Sequence, residues 1–165
     1  DMSDKHRLMR DIKVRNIREY NRKAPVRMPY MVVVIDELAS LIHSAPGVKT
    51  KLIQLAQRGR AVGIHVIIAT QRPEVRIIDG LIRAQFPARV AFSVASVQDS
   101  MIILDVGGAQ KLLGQGDMLF RDVSDLRPAR VQGVYIHDDE IAQITEYWRD
   151  HPKGSPLHAV PTTGS

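Results

Sequence analysis

The sequence predicts an α/β fold: a mostly parallel sheet flanked by helices, with a late antiparallel hairpin. Three observations predict it. The runs "YMVVVI" (30–35), "IHVIIAT" (64–70) and "RVAFSV" (89–94) are short, apolar and rich in β-branched residues, as strands buried on both faces are. Stretches of helical period lie between them, and strand–helix alternation is the pattern of a parallel sheet wrapped by helices. The 165 residues are enough for one domain with a substantial core. Sheets of this kind bind ligands beyond the carboxyl ends of their strands. The three strand exits, Asp36–Glu37, "TQRP" (70–73) and Ser93–Ser96, are therefore expected along one edge.

Taken in order, residues 1–22 read as helical, with Ser3 as a cap and Leu8, Met9, Ile12, Ile17 and Tyr20 at helical spacing. Two prolines in "KAPVRMP" (23–29) end that pattern. After the first strand a helix begins near Glu37 and ends by "HSAPG" (43–47). Residues 48–63 are amphipathic: Val48, Leu52, Leu55, Ala56 and Gly59 share one face, and Gly63 is a C-terminal stop. A short helix over 77–86 runs into Pro87. Ser96 and Asp99 have the spacing of a capping box for the helix 97–105. "MLF" and "RVQGVYI" read as two late strands, a hairpin around 121–129. A closing helix carries Ile141, Ile144, Thr145 and Trp148 on one face. The domain is assigned to residues 1–150. The Pro/Gly/Ser/Thr-rich residues 151–165 read as a flexible tail or linker.

The net charge of +5 favours an anionic partner such as nucleic acid, nucleotide or lipid headgroups, although a basic protein with no such partner has the same balance. The absence of cysteine excludes disulfides and thiolate metal sites. The histidines lack metal-ligand spacing. No apolar run reaches the roughly 18 residues of a membrane span, and no signal peptide opens the chain. Asp rather than Met at position 1 leads to the expectation of a piece of a longer protein.

The chemistry gathers at the predicted edge. Apolar residues followed by Asp36–Glu37 have the shape of a Walker B element. There Asp36 would hold Mg²⁺ through water, and Glu37 would orient or deprotonate an attacking water. The same pair also suits the acidic first turn of a helix. Gln71, at the end of the neighbouring strand, reads either as a sensor of the γ-phosphate or as a cap for the next turn. Arg58 and Arg60 end a helix, where basic side chains complement the dipole; an arginine there can also stabilise a transferring phosphoryl group in a neighbouring subunit. "LLGQGDML" (112–119) holds two glycines, which suit a tight turn and not a phosphate cradle. No "GxxxxGK[ST]" occurs in the sequence.

Together "VRNIREYN", "PYMVVVIDELASL", "LAQRGRAVGIHVIIATQRPEVRIIDGLIRAQFPARVAFSV" and "DSMIILDVGGAQKLLGQGDMLF" resemble the motor of the FtsK/SpoIIIE DNA translocases, over roughly residues 1–150. The resemblance implies the C-terminal part of a RecA-like P-loop NTPase core. It implies ATP and Mg²⁺ as cofactors, with double-stranded DNA and further copies of the chain in a homohexameric ring as partners. Division-site or recombination proteins are further implied partners. Hydrolysis would pull DNA through the ring in chromosome partition at cell division or in DNA transfer. The motor would be cytoplasmic, with any membrane tether in regions outside these residues. Carried over by position, Asp36 is the Mg²⁺-linked aspartate, Glu37 the catalytic base, Gln71 the sensor and Arg60 the arginine that reaches the neighbour's nucleotide. Arg72 and Arg83 match basic positions of the DNA-contacting loops.

Three departures qualify the resemblance. The phosphate-binding loop precedes this region in the family, so the fragment by itself is expected to be inactive. Val97 and Met101 stand where the family commonly has basic residues, so the second DNA loop would grip phosphates less, or grip them differently. The family's winged-helix domain lies outside these residues. Two other readings stay open: a non-catalytic DNA-binding or scaffold subunit, and a related ATPase that moves protein substrates.

Overall fold

The chain is described by a computed structural model covering residues 2–125 and 127–151. It divides into two units, residues 1–132 and 133–165. The first unit begins with two helices, α1 (Met2–Asp11) and α2 (Ile17–Lys23), where one was expected over 1–22. The break has a local cause. Lys13 adopts φ 54° and its N–H bonds back to Arg10 O, closing α1. Asn16 then opens α2 by accepting the Glu19 N–H, while the Glu19 carboxylate takes the Arg15 N–H. That reciprocal cap satisfies donors a continuous helix would have used internally.

Strand β1 (Met31–Ile35) is followed by α3 (Leu38–Ser44), α4 (Val48–Gly59) and β2 (Ile64–Ile68). The two strands pair in parallel, Met31 beside Ile64 through Ile35 beside Ile68. This is the predicted strand–helix–strand unit, with Gly63 as the stop beyond α4 at φ 74°. A Cβ there would fall 2.6 Å from Ile17 Cδ1, so the close approach of α2 also requires glycine.

Helix α5 (Gly80–Gln85) leads to β3 (Arg89–Ala91) and α6 (Val97–Leu104), followed by β4 (Asp117–Arg121) and β5 (Ala129–Gln132). The capping box of α6 forms as expected: the Asp99 N–H donates to Ser96 Oγ and the Ser96 N–H to the Asp99 carboxylate, both at 3.1 Å. The late hairpin is also present, β4 and β5 being antiparallel. The third strand differs from expectation. It pairs antiparallel with β4 and stands in a separate sheet of order β3-β4-β5. Between β2 and β3 lies a cavity of about 940 Å³ lined by Val66, Ile68, Thr70, Ile82, Ala91 and Val94 among others.

The core has three parts. Met9, Ile17 and Tyr20 pack with Met28, Val62 and Ile64. Leu38, Leu52, Ile77 and Ile82 pack beneath Ile35 and Ile68. Ala91, Leu104, Ala109 and Leu112 form the third, with Leu119. Fully buried side chains such as Leu38 and Leu104 each contribute about 1.5–3 kcal/mol. The strands are not buried on both faces as predicted. Val33, Ile35, Val66 and Ile68 face the core, whereas Val32 (60% exposed), Val34 (66%) and Ile67 (54%) face away. Among the described residues no layer covers that second face.

In the second unit α7 (Asp138–Asp150) begins at His137, whose N–H donates to Glu140 Oε2. The predicted helix is thus present, with Ile141, Ile144 and Trp148 each about half exposed. The predicted tail from Pro152 lies outside the described residues.

Candidate functional site

The parallel ladder continues past the last assigned strand residues. The Ala69 N–H donates to Ile35 O (2.9 Å) and the Leu38 N–H donates to Ala69 O (2.8 Å). The start of α3 is thereby fastened to the end of β2. Between these bonds Glu37 is forced into the left-handed region, φ 51° and ψ 72°. For a residue with a Cβ that conformation costs on the order of 1–3 kcal/mol and is found where surrounding bonds over-determine it.

Two hydrogen bonds fix the Glu37 carboxylate. Thr70 Oγ1 donates to Oε1 at 2.5 Å, and the Gln71 N–H donates to Oε2 at 2.9 Å. The Thr70 hydroxyl, then the Gln71 amide, hold the carboxyl below the usual glutamate range. Asp36 precedes it, exposed at the same strand end. Asp36, Glu37 and Gln71 therefore share one edge. The contact from residue 71 comes from the backbone N–H; the Gln71 side chain is exposed.

Arg72 follows in the same turn with its side chain exposed, and it has no ion-pair partner among the described residues. Nearby Arg76 is engaged by Glu74 at 2.6 Å. Arg83, in the last turn of α5, pairs with Asp105 at 3.2 Å. Asp105 also receives Arg89 at 2.9 Å and Arg121 at 2.5 Å. Partial burial opposes ionisation of Asp105, but the hydrogen bonds from Arg89 and Arg121 outweigh it and its pKa lies below the ordinary value. Three guanidinium groups around one carboxylate leave an excess of positive charge there. Arg60, exposed, stands just before β2, whereas Thr70 lies just beyond it. The strand separates the two by on the order of 15 Å, so Arg60 belongs to the opposite edge of its own sheet.

Thr70 is the residue that sequence reasoning missed. A signal existed: aligning "MVVVI" with "IHVII" sets an offset of 33, and that offset places 37 beside 70.

The comparisons with known proteins bear on this arrangement. Residues 1–75 match the model of the FtsK/SpoIIIE family. The chain is 50% identical over 161 residues to the DNA translocase FtsK of Chlorobaculum tepidum, covering 96% of this chain and 20% of that protein. It is 50% identical over 135 residues to the DNA translocase FtsK of Bacillus anthracis, covering 79% and 17%. The chain thus spans about a fifth of the length of these relatives. Among solved structures it resembles the pCW3 conjugation coupling protein TcpA, in its monomer form with ATPγS. That match has 28% identity and a TM-score of 0.75, over 88% of this chain and 45% of that one. The cytoplasmic domain of the Thermomonospora curvata type VII secretion ATPase EccC shares the fold, with 22% identity and a TM-score of 0.71 over 81% and 16%.

The fold is that of a RecA-like P-loop ATPase motor domain, of which these residues form a part. Within that class, the chain belongs to the FtsK/SpoIIIE family.

Proposed function

We propose that these residues are the C-terminal part of the motor of an ATP-driven double-stranded DNA translocase that works as a homohexameric ring. The observation that carries the reading is the fixed Glu37 carboxylate beside exposed Asp36, in a chain half identical to DNA translocases over nearly all its length. In this reading Glu37 takes the proton of the attacking water, and the Gln71 side chain senses the γ-phosphate. Arg60, at the far edge of its own sheet, serves the nucleotide of a ring neighbour. Arg72 meets the DNA backbone, and Arg83 adds to the positive potential around Asp105.

The chain's donors fit a shared Mg²⁺ site and not a self-contained one. Both Glu37 oxygens are engaged, which leaves Asp36 as the oxygen ligand, and the described residues hold no cluster of three metal-ligating groups. Asp36 would hold the ion through water, with phosphate oxygens completing its shell. When bound, Mg²⁺ offsets the charge that develops on the phosphates.

The cavity between β2 and β3 supports the same reading. Both strands offer it an edge, and neighbouring strands sit about 4.8 Å apart, so one inserted strand would join the two sheets. A strand and helix from outside these residues would fill the cavity and cover Val32, Val34 and Ile67, bringing a phosphate-binding loop to Asp36 and Glu37.

ATP turnover by the full-length protein, with and without duplex DNA, tests the assignment. Glu37→Gln keeps ATP binding and lowers kcat by roughly 10²–10⁴-fold. Turnover at the wild-type rate would remove Glu37 from the base role.

A further inference from the structure

The Thr70 hydroxyl sits between two groups that the proposed function treats separately. It donates to Glu37 Oε1 at 2.5 Å and accepts the Arg72 N–H at 3.1 Å. A hydroxyl has one proton to give. The short bond to Glu37 takes it, in preference to Arg72 O at 3.2 Å. The result is a one-way relay, Arg72 N–H to Thr70 O–H to Glu37, in which each bond polarises the next. The Gln71 N–H adds a parallel tie to the other carboxylate oxygen. The turn is braced behind this point by the Glu74 N–H, which donates to Arg72 O at 2.9 Å. Its Arg72 side chain is exposed and, although its charge acts on Glu37 and Glu74, it forms no close ion pair among the described residues, so it is open to an incoming phosphate. A pull on Arg72 is therefore a pull on the bonds that hold Glu37.

We propose that Thr70 is a positioning residue that couples the grip of Arg72 on a nucleic-acid phosphate to the placement of the Glu37 carboxylate. With the turn as seen here, both carboxylate oxygens are held toward residues 70 and 71. When a phosphate draws Arg72 away, the Arg72–Thr70 bond opens and Thr70 releases Glu37 toward the attacking water. The inference rests on Glu37 being the base, and adds that nucleic acid controls it through one hydroxyl.

The test uses the full-length protein and compares wild type, Thr70→Val, Thr70→Ser and Glu37→Gln. Thr70→Val keeps the side-chain shape and loses the hydroxyl. It is expected to raise the DNA-free kcat, with KM for ATP unchanged, until stimulation by duplex DNA falls to about twofold or less. Thr70→Ser restores the wild-type ratio. Without nucleotide or DNA, amide exchange in the segment 70–73 is expected to rise about tenfold in Thr70→Val. Should the valine variant fail to fold, Thr70→Ala repeats both measurements without added bulk. A wild-type stimulation ratio in the folded, hydroxyl-less variant overturns the coupling, whatever the amides do. Wild-type turnover by Glu37→Gln instead overturns the base assignment beneath it, so the two failures are distinguishable.

Discussion

Asp117 shows how a single carboxylate can fasten a turn. It is buried, and Arg130 grips it with two hydrogen bonds, Nε to Oδ1 at 2.9 Å and Nη2 to Oδ2 at 2.7 Å. The Leu113 N–H adds a third at 2.8 Å, across the turn in which Gly114, Gln115 and Gly116 all have positive φ. The Arg130 hydrogen bonds, then the Leu113 amide, hold this carboxyl down at about 2. Because the folded value lies below the unfolded one, the stabilisation is fully present above the ordinary carboxylate value, near 4, and is lost as pH falls through about 2. Glu37, Glu74, Asp79, Asp105 and Asp122 are lowered as well, so acid destabilises wild type through several groups. Asp117→Asn is expected to lower Tm at pH 5 and to shrink the further fall between pH 4 and pH 2 by a few degrees, as read by thermal melts across that range. At this scale the sequence exposed the charged actors, because Asp36–Glu37 interrupts an apolar run. It concealed Thr70, since a hydroxyl at a strand end is common and only the strand register makes it a partner of Glu37.

Secondary elements were legible wherever one local signal dominated. The Ser96–Asp99 box marked the start of α6 to the residue. Ser96→Ala is expected to lower stability by about 1 kcal/mol, while Ser96→Asp is expected to stay near wild type, as measured by urea unfolding. The same reasoning failed over 1–22, where apolar periodicity suggested one helix and the Asn16–Glu19 cap made two. It failed again for β3. A strand's own residues report that it is extended and apolar, but not which neighbour it pairs with. The edge of β3 away from β4 meets the cavity and not β2, so the expected parallel neighbour is missing within the described residues. Val97 and Met101 lie one helical turn apart on α6 and are both exposed.

For the whole molecule, three features that look like faults share one explanation: an uncovered apolar sheet face, two facing strand edges and an acidic pair without a phosphate cradle. The proposed strand–loop–helix unit, inserted between β2 and β3, would complete all three. Unpaired edges and bare apolar faces are costly, and their coincidence beside Asp36 and Glu37 supports the proposal that nucleotide binds at this rim of the sheet. On the same proposal Arg60, at the other rim, would serve a ring neighbour, as heterologous contacts allow. The most direct measurement is a structure of the longer protein with a non-hydrolysable ATP analogue and Mg²⁺. The account predicts a parallel strand filling the cavity between Ile64–Ile68 and Arg89–Ala91, with the γ-phosphate facing Asp36, Glu37 and Gln71. A cavity left unfilled, or a nucleotide bound beside the Arg60 of the same subunit and away from Glu37, would contradict it.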